Sequence, residues 1–116
     1  MAELLERMAE LKVRGATCRA GYLVFSAVDF VRQARMHTPS HEAATLAFLD
    51  LARRHPEAVG REVVMVELAR SGRTYRTEAM RLRGLQMLLR LLGDNVEPEF
   101  ERAFQGVFAD AVGVAA

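Results

Sequence analysis

Apolar and polar positions alternate with a helical period along most of the chain, most densely over residues 73–92, RTYRTEAMRLRGLQMLLRLL. At about 100° per residue, Tyr75, Ala79, Met80, Leu82, Leu85, Met87, Leu88, Leu89, Leu91 and Leu92 cover well over half of a helical circumference, the pattern of a helix with neighbours on several sides. Arg76, Arg83 and Arg90 recur every seven residues and line up along one edge of such a helix. The spacing therefore predicts a central helix with a basic seam, and Met80, Leu85, Leu88 and Leu89 among the most buried residues.

The flanking segments read the same way. Residues 2–13 place Leu4, Leu5, Met8 and Leu11 on one face, with Gly15 as the expected stop. Thr17 caps an expected helix over 18–36, with Ala20, Leu23, Val24, Ala27, Phe30, Val31 and Ala34 inward and Tyr22 and Phe25 on the far side. Thr38-Pro39 opens a third helix ending near Arg54, with Ala44, Ala47, Phe48 and Leu51 inward. Pro56 to Gly72 reads as a fourth. Its REVVMVEL core is β-rich by propensity, but a lone strand has no partner in an otherwise helical chain. Pro98 opens a last helix carrying Phe100, Ala103, Phe104, Val107, Phe108, Ala111 and Val112, and residues 113–116 are expected to fray.

The expectation is an all-α fold, a single helical domain over 1–116 with about six antiparallel helices in three hairpins, as a bundle or a short repeat array. Second-helix starts near Thr17, Pro56 and Pro98 resemble the spacing of HEAT and armadillo repeats. Ala27, Val31, Ala34 and Pro39 are similar in spacing to the second helix of tetratricopeptide repeats, and Gly72-Arg73-Thr74-Tyr75 followed by Glu78-Ala79 resembles their Gly–Tyr turn. Either resemblance implies a helical interaction scaffold.

Composition narrows the class. The chain has 116 residues, 51% hydrophobic, with one cysteine, Cys18. No internal disulfide is possible, and a reducing, cytoplasmic setting is expected. No apolar run approaches the length of a membrane span, and the amphipathic, acidic start does not read as a secretory signal. The overall charge of +1 hides an uneven distribution. Residues 53–90 carry nine Arg against four Glu, whereas residues 91–116 carry Arg102 against Asp94, Glu97, Glu99, Glu101 and Asp110. Of the sixteen basic residues only Lys12 is lysine, and Arg favours planar, bidentate partners such as carboxylate and phosphate.

Few residues offer chemistry. Cys18 beside Arg19 has no histidine close in sequence to act as base, and reads as a small semi-buried side chain. His37 and His41 bracket Pro39 and do not stack on one helical face, so no metal site is expected. Asp29 and Asp50 fall on polar sectors and are expected in solvent, while Glu99 and Glu101 complement a helix dipole. Without a phosphate loop, nucleophile elbow or zinc motif, neither an enzyme nor a cofactor is expected.

Residues 66–82, VELARSGRTYRTEAMRL, resemble a helix-turn-helix, with Glu67, Leu68 and Ala69, a glycine turn and a basic second helix. Two residues, not the usual three, separate Ala69 from Gly72. The leading expectation is a non-enzymatic protein–protein interaction or assembly module, self-associating as a homodimer. The alternative is a small nucleic-acid-binding regulator using residues 66–82 and the Arg seam. Tyr22, Phe25, Arg73, Arg76 and Arg83 are the candidate partner-binding residues, and no membrane contact is expected.

Overall fold

The computed structural model describes residues 2–113. Its elements are helix α1 (Ala2–Glu10), strands β1 (Gly15–Thr17) and β2 (Leu23–Ser26), helices α2 (Ala27–Ala34) and α3 (His41–Arg54), strands β3 (Val64–Arg70) and β4 (Arg73–Met80), and helices α4 (Leu82–Leu92) and α5 (Pro98–Val112); a single 3-10 turn, Gly60–Glu62, precedes β3. The four strands form one antiparallel sheet in the order β1-β2-β4-β3, curled into a half-barrel. The all-α expectation is therefore overturned, and with it the six-helix, three-hairpin bundle and the HEAT- and tetratricopeptide-like array.

The central helix divides in two. Residues 82–92 are helical, but residues 73–80 are a strand whose exposure alternates, Arg76 outward and Thr77 inward. The apolar positions of 73–92 satisfy a helical wheel only because Ala79, Met80 and Leu82 fall at the strand-to-helix junction. Residues 64–70, expected as part of a fourth helix because a lone strand would lack a partner, have β4 as that partner, in register from Val64↔Ala79 to Arg70↔Arg73. Ser71 and Gly72 join them with φ of 51° and 78°. Two consecutive positive-φ residues make a type I′ turn, whose twist matches that of the flanking strands. Gly72 is thus a hairpin turn and not a helix stop, and 66–82 is no helix-turn-helix.

The expected helix over 18–36 divides likewise. Leu23, Val24 and Phe25 run into β2, and Ser26 ends the strand while capping α2, its hydroxyl accepting the Asp29 N–H at 3.0 Å. Phe25 is buried in the main core, so its candidacy as a partner-binding residue is withdrawn. The stop of α1 is Lys12, not Gly15. Lys12 has φ of 64°, with Lys12 N–H donating to Ala9 O and Val13 N–H to Met8 O. That is a Schellman closure with lysine where glycine is usual. Ser40, not Thr38, caps α3, its hydroxyl accepting from the Ala43 N–H.

The main core lies between the helices and one side of the sheet. It includes Met8, Phe25, Phe30, Val31, Phe48, Met80, Leu85, Leu88 and Phe104. Met80, Leu85, Leu88 and Leu89 are all buried, as their spacing predicts. A smaller cluster, Cys18, Val24, Val66, Leu68 and Ala79, fills the inside of the curl. Asn95 O and Ala34 O accept the Met36 and Glu97 N–H groups, pinning the end of α2 to the α4–α5 linker, and Arg7 pairs with Asp110 across α1 and α5. Pro98 opens α5 as expected, and Gly113 closes it; the expected fraying beyond Gly113 lies outside the described residues. Among the described residues, no helix is long and apolar enough to cross a membrane.

Leu88 has no exposed surface and sits amid this core. Leu88→Ala is expected to cost about 2–5 kcal/mol of stability in urea unfolding, and a loss under about 1 kcal/mol would place it outside the core.

Candidate anion-binding cleft

Where α1, α2, α3 and the β3–β4 hairpin meet, a cleft of about 430 Å³ is lined by Ala9, Lys12, Arg14, Asp29, Arg32, Gln33, His41 and Arg70. Four of these are permanent cations and one is a carboxylate. The local folds described above bring them together: the Schellman closure of α1 presents Lys12, the Ser26 cap sets Asp29 in the first turn of α2, and the β3–β4 turn presents Arg70.

Arg14 organises the cleft wall. Its Nε and Nη2 donate to the two oxygens of Asp29 at 2.8 and 3.0 Å, and its backbone N–H donates to Asp29 Oδ2 at 3.0 Å. Nη2 also donates to the Tyr75 hydroxyl at 2.7 Å, and Nη1 to Ala69 O at 2.6 Å. One guanidinium thus ties the start of β1 to α2, β3 and β4, using four of its five N–H bonds. The Asp29 carboxylate, followed by the Tyr75 hydroxyl, holds the Arg14 pKa above its ordinary value against the opposing effect of burial. Asp29 is buried, not solvated on a polar sector as its spacing predicts.

With Arg14 and Asp29 neutralising each other, Lys12, Arg32 and Arg70 remain. None forms an ion pair among the described residues. His41 opens α3 in the same wall, its ring edge-on to Tyr75 with centroids 6.5 Å apart. Partial burial and then the charges of Arg70, Arg14 and Arg32 push its pKa down, opposed by Asp29.

The residues singled out from the sequence are spread over the surface. Arg73 and Arg76 lie on β4, three residues apart and therefore on opposite faces. Arg73 faces Arg70 across the hairpin, whereas Arg76 faces Glu67. Arg83 lies on α4 in a separate hollow with Glu57, Glu62 and Arg81. Tyr22 is exposed in the β1–β2 loop, where the Arg81 guanidinium sits 5.6 Å from its ring centre. Arg76, Arg83 and Arg90 form no common edge, because the first is on a strand and the others on a helix. Arg90 has no ion pair among the described residues.

Cys18 lies in the β1–β2 loop, not in a helix. Desolvation opposes its ionisation, but hydrogen bonds from Tyr22, Ala20 and Gly21 together outweigh it and hold the thiol below its usual pKa. Among the described residues no three His, Cys, Asp or Glu side chains converge as a metal site. The residues that sequence spacing missed are Lys12, Arg14, Asp29, Arg32 and Arg70. One available signal was the Ser26-x-x-Asp29 capping pattern directly after an apolar LVF run. No protein-family model, curated protein or solved structure matches this chain.

Two outcomes follow from this geometry. The Asp29 side chain is only 11% exposed and that of Arg14 34%, so losing Arg14 strands the less accessible charge. Arg14→Leu is expected to cost about 3–5 kcal/mol and Asp29→Asn about 1–3 kcal/mol in chemical unfolding; the reverse order would contradict the network. Second, a histidine with a folded pKa below its unfolded value favours the native state at high pH and opposes it once protonated. His41 therefore contributes a loss of stability that begins as pH falls below about 6.5, and His41→Gln is expected to reduce that loss in melting temperatures measured across pH.

Proposed function

We propose that this domain is a non-enzymatic binding module for the phosphate backbone of a nucleic acid, engaged by the β3–β4 hairpin and the cleft beside it. The observation that carries this reading is the pairing of Arg70 directly opposite Arg73 at the end of the hairpin, next to the unpaired Lys12 and Arg32. Like charges directly opposite each other on a hairpin destabilise it, and an anion between them reverses the sign. The ribbon's form also suits the ligand. β2 pairs with β4 only at Met80 and Ala79, so residues 73–78 have β3 as their sole strand partner. The two-stranded part, residues 65–70 against 73–78, is about 20 Å long at ~3.3 Å per residue, a shape that the major groove admits. This mode replaces the helix-turn-helix. The single thiol, Cys18, agrees with a reducing, cytoplasmic setting.

A second reading, self-association, is favoured by one feature. Leu46 and Leu49 lie three residues apart on α3 and are 69% and 45% exposed. A second copy covering them would give a homodimer, and sedimentation of Leu46→Glu against the parent tests it: dissociation supports the dimer, and a parent that is already monomeric at micromolar concentration contradicts it.

For the nucleic-acid reading, fluorescence anisotropy with a labelled duplex across a salt series is the test. Each phosphate contact removed lowers the slope of log K against log salt by about 1. Arg70→Glu and Arg73→Glu are each expected to weaken binding and flatten the slope, with Arg83→Glu having little effect. A parent protein without salt-dependent binding would contradict the reading, and pull-down of an acidic protein instead would replace it.

A further inference from the structure

The cleft has an internal logic that the hairpin alone does not explain. Lys12 from the turn after α1, Arg32 from α2 and Arg70 from β3 line one cavity, and the carboxylate there already accepts three hydrogen bonds from Arg14. Cations gathered without an anion repel one another, more strongly against a partly buried wall than in open water. Lys12 adds a second cost. Its φ of 64° lies in the left-handed region, where a non-glycine residue is disfavoured by about 1–2 kcal/mol. Glycine would adopt this turn without that cost, yet the lysine is what gives this end of the cleft its charge. Arg14, with four N–H bonds committed, serves as the wall and not as a free contact.

We propose that the cleft is a subsite for one phosphate group, held by Lys12, Arg32 and Arg70, with the His41 imidazole in its wall. The proposal rests on the nucleic-acid reading in that the phosphate belongs to a bound strand; the chemistry is shared by free phosphate and sulfate. The volume of about 430 Å³ accommodates a phosphate with its attached sugar. The groups facing His41 are Arg70 of β3, Arg32 and Asp29 of α2, Arg14 ahead of β1, and the Tyr75 ring of β4. Without an anion, partial burial and then the surrounding cations disfavour the protonated imidazole, with Asp29 opposing them. A dianion among them reverses the local field, so binding draws a proton onto His41, and affinity rises as pH falls.

The test follows the His41 ring resonances by NMR in the intact chain, across about pH 5 to pH 8, with and without sulfate, whose own charge is constant there. The expected result is an upward shift of the His41 pKa on adding sulfate, and sulfate binding that tightens toward low pH. Inorganic phosphate should act alike, and a short duplex should compete with both. Lys12→Gly removes the charge while suiting the turn, so the fold is kept, and it is expected to weaken sulfate binding about tenfold; Arg32→Gln should do the same. His41→Gln should abolish the pH dependence without abolishing binding. If sulfate leaves His41 unmoved while a duplex still binds with a steep salt slope, the subsite is overturned and the hairpin reading stands. If sulfate shifts His41 but no duplex competes, the subsite stands as a free-anion site and the nucleic-acid reading falls. Sulfate affinity unchanged in both Lys12→Gly and Arg32→Gln overturns the subsite.

Discussion

The bidentate pair between Arg14 and Asp29 is the contact on which the arrangement of the sheet depends. The half-barrel must close around a small apolar cluster of Cys18, Val24, Val66, Leu68 and Ala79, which by itself gives few side chains to hold the curl. Arg14 supplies the remainder by spanning from the start of β1 to the Ala69 carbonyl of β3 and the Tyr75 hydroxyl of β4. Such a bridge needs a fixed guanidinium, and Asp29 provides it with both carboxylate oxygens. Burying a carboxylate is unfavourable unless it is paired and hydrogen-bonded, and here the Arg14 backbone N–H and side chain supply three hydrogen bonds to Asp29. The aspartate is in turn fixed by the Ser26 cap, so one short sequence, from the end of β2 into α2, determines where the arginine can sit.

The same pair determines the electrostatics of the cleft. By occupying the one carboxylate of the cavity, Arg14 leaves Lys12, Arg32 and Arg70 there without ion pairs among the described residues. The hairpin end then adds Arg73 opposite Arg70. Partners separate the two kinds of cation: an arginine with four committed N–H bonds holds the fold, whereas Lys12, Arg32 and Arg70, without ion pairs among the described residues, are left for the anion proposed above. By that criterion Arg7, Arg53, Arg54, Arg61 and Arg81, each paired with an acid, belong to the structural set.

Where the chain repeats apolar residues over two or more turns without interruption, its sequence is informative: α3, α4, α5 and the second half of the expected 18–36 helix are present, and Leu88 and Phe104 are buried as their spacing requires. The strands were not legible as such, for an identifiable reason. β1 and β2 are three and four residues long, too short to show a period, and β4 passes into α4 with only Arg81 between them. For β3 the local propensity of VVMVEL points to the strand that forms, and its partner lies beyond the Ser71-Gly72 turn in the alternation of Tyr75, Thr77 and Ala79. The cleft was illegible because its residues lie at 12, 14, 29, 32, 41 and 70, close only through the closing of the sheet. The Arg-rich composition of 53–90 pointed to a seam at Arg76, Arg83 and Arg90, which the strand-to-helix break at Arg81 divides.

The most direct test of the central claim is a backbone amide NMR titration of the full chain with a short nucleic-acid duplex at low salt. Shift changes are expected to concentrate at residues 69–76 and around Lys12, Arg32 and His41, and to disappear as salt is raised. Changes centred on Leu46 and Leu49 of α3, or none at any duplex concentration, would contradict the claim.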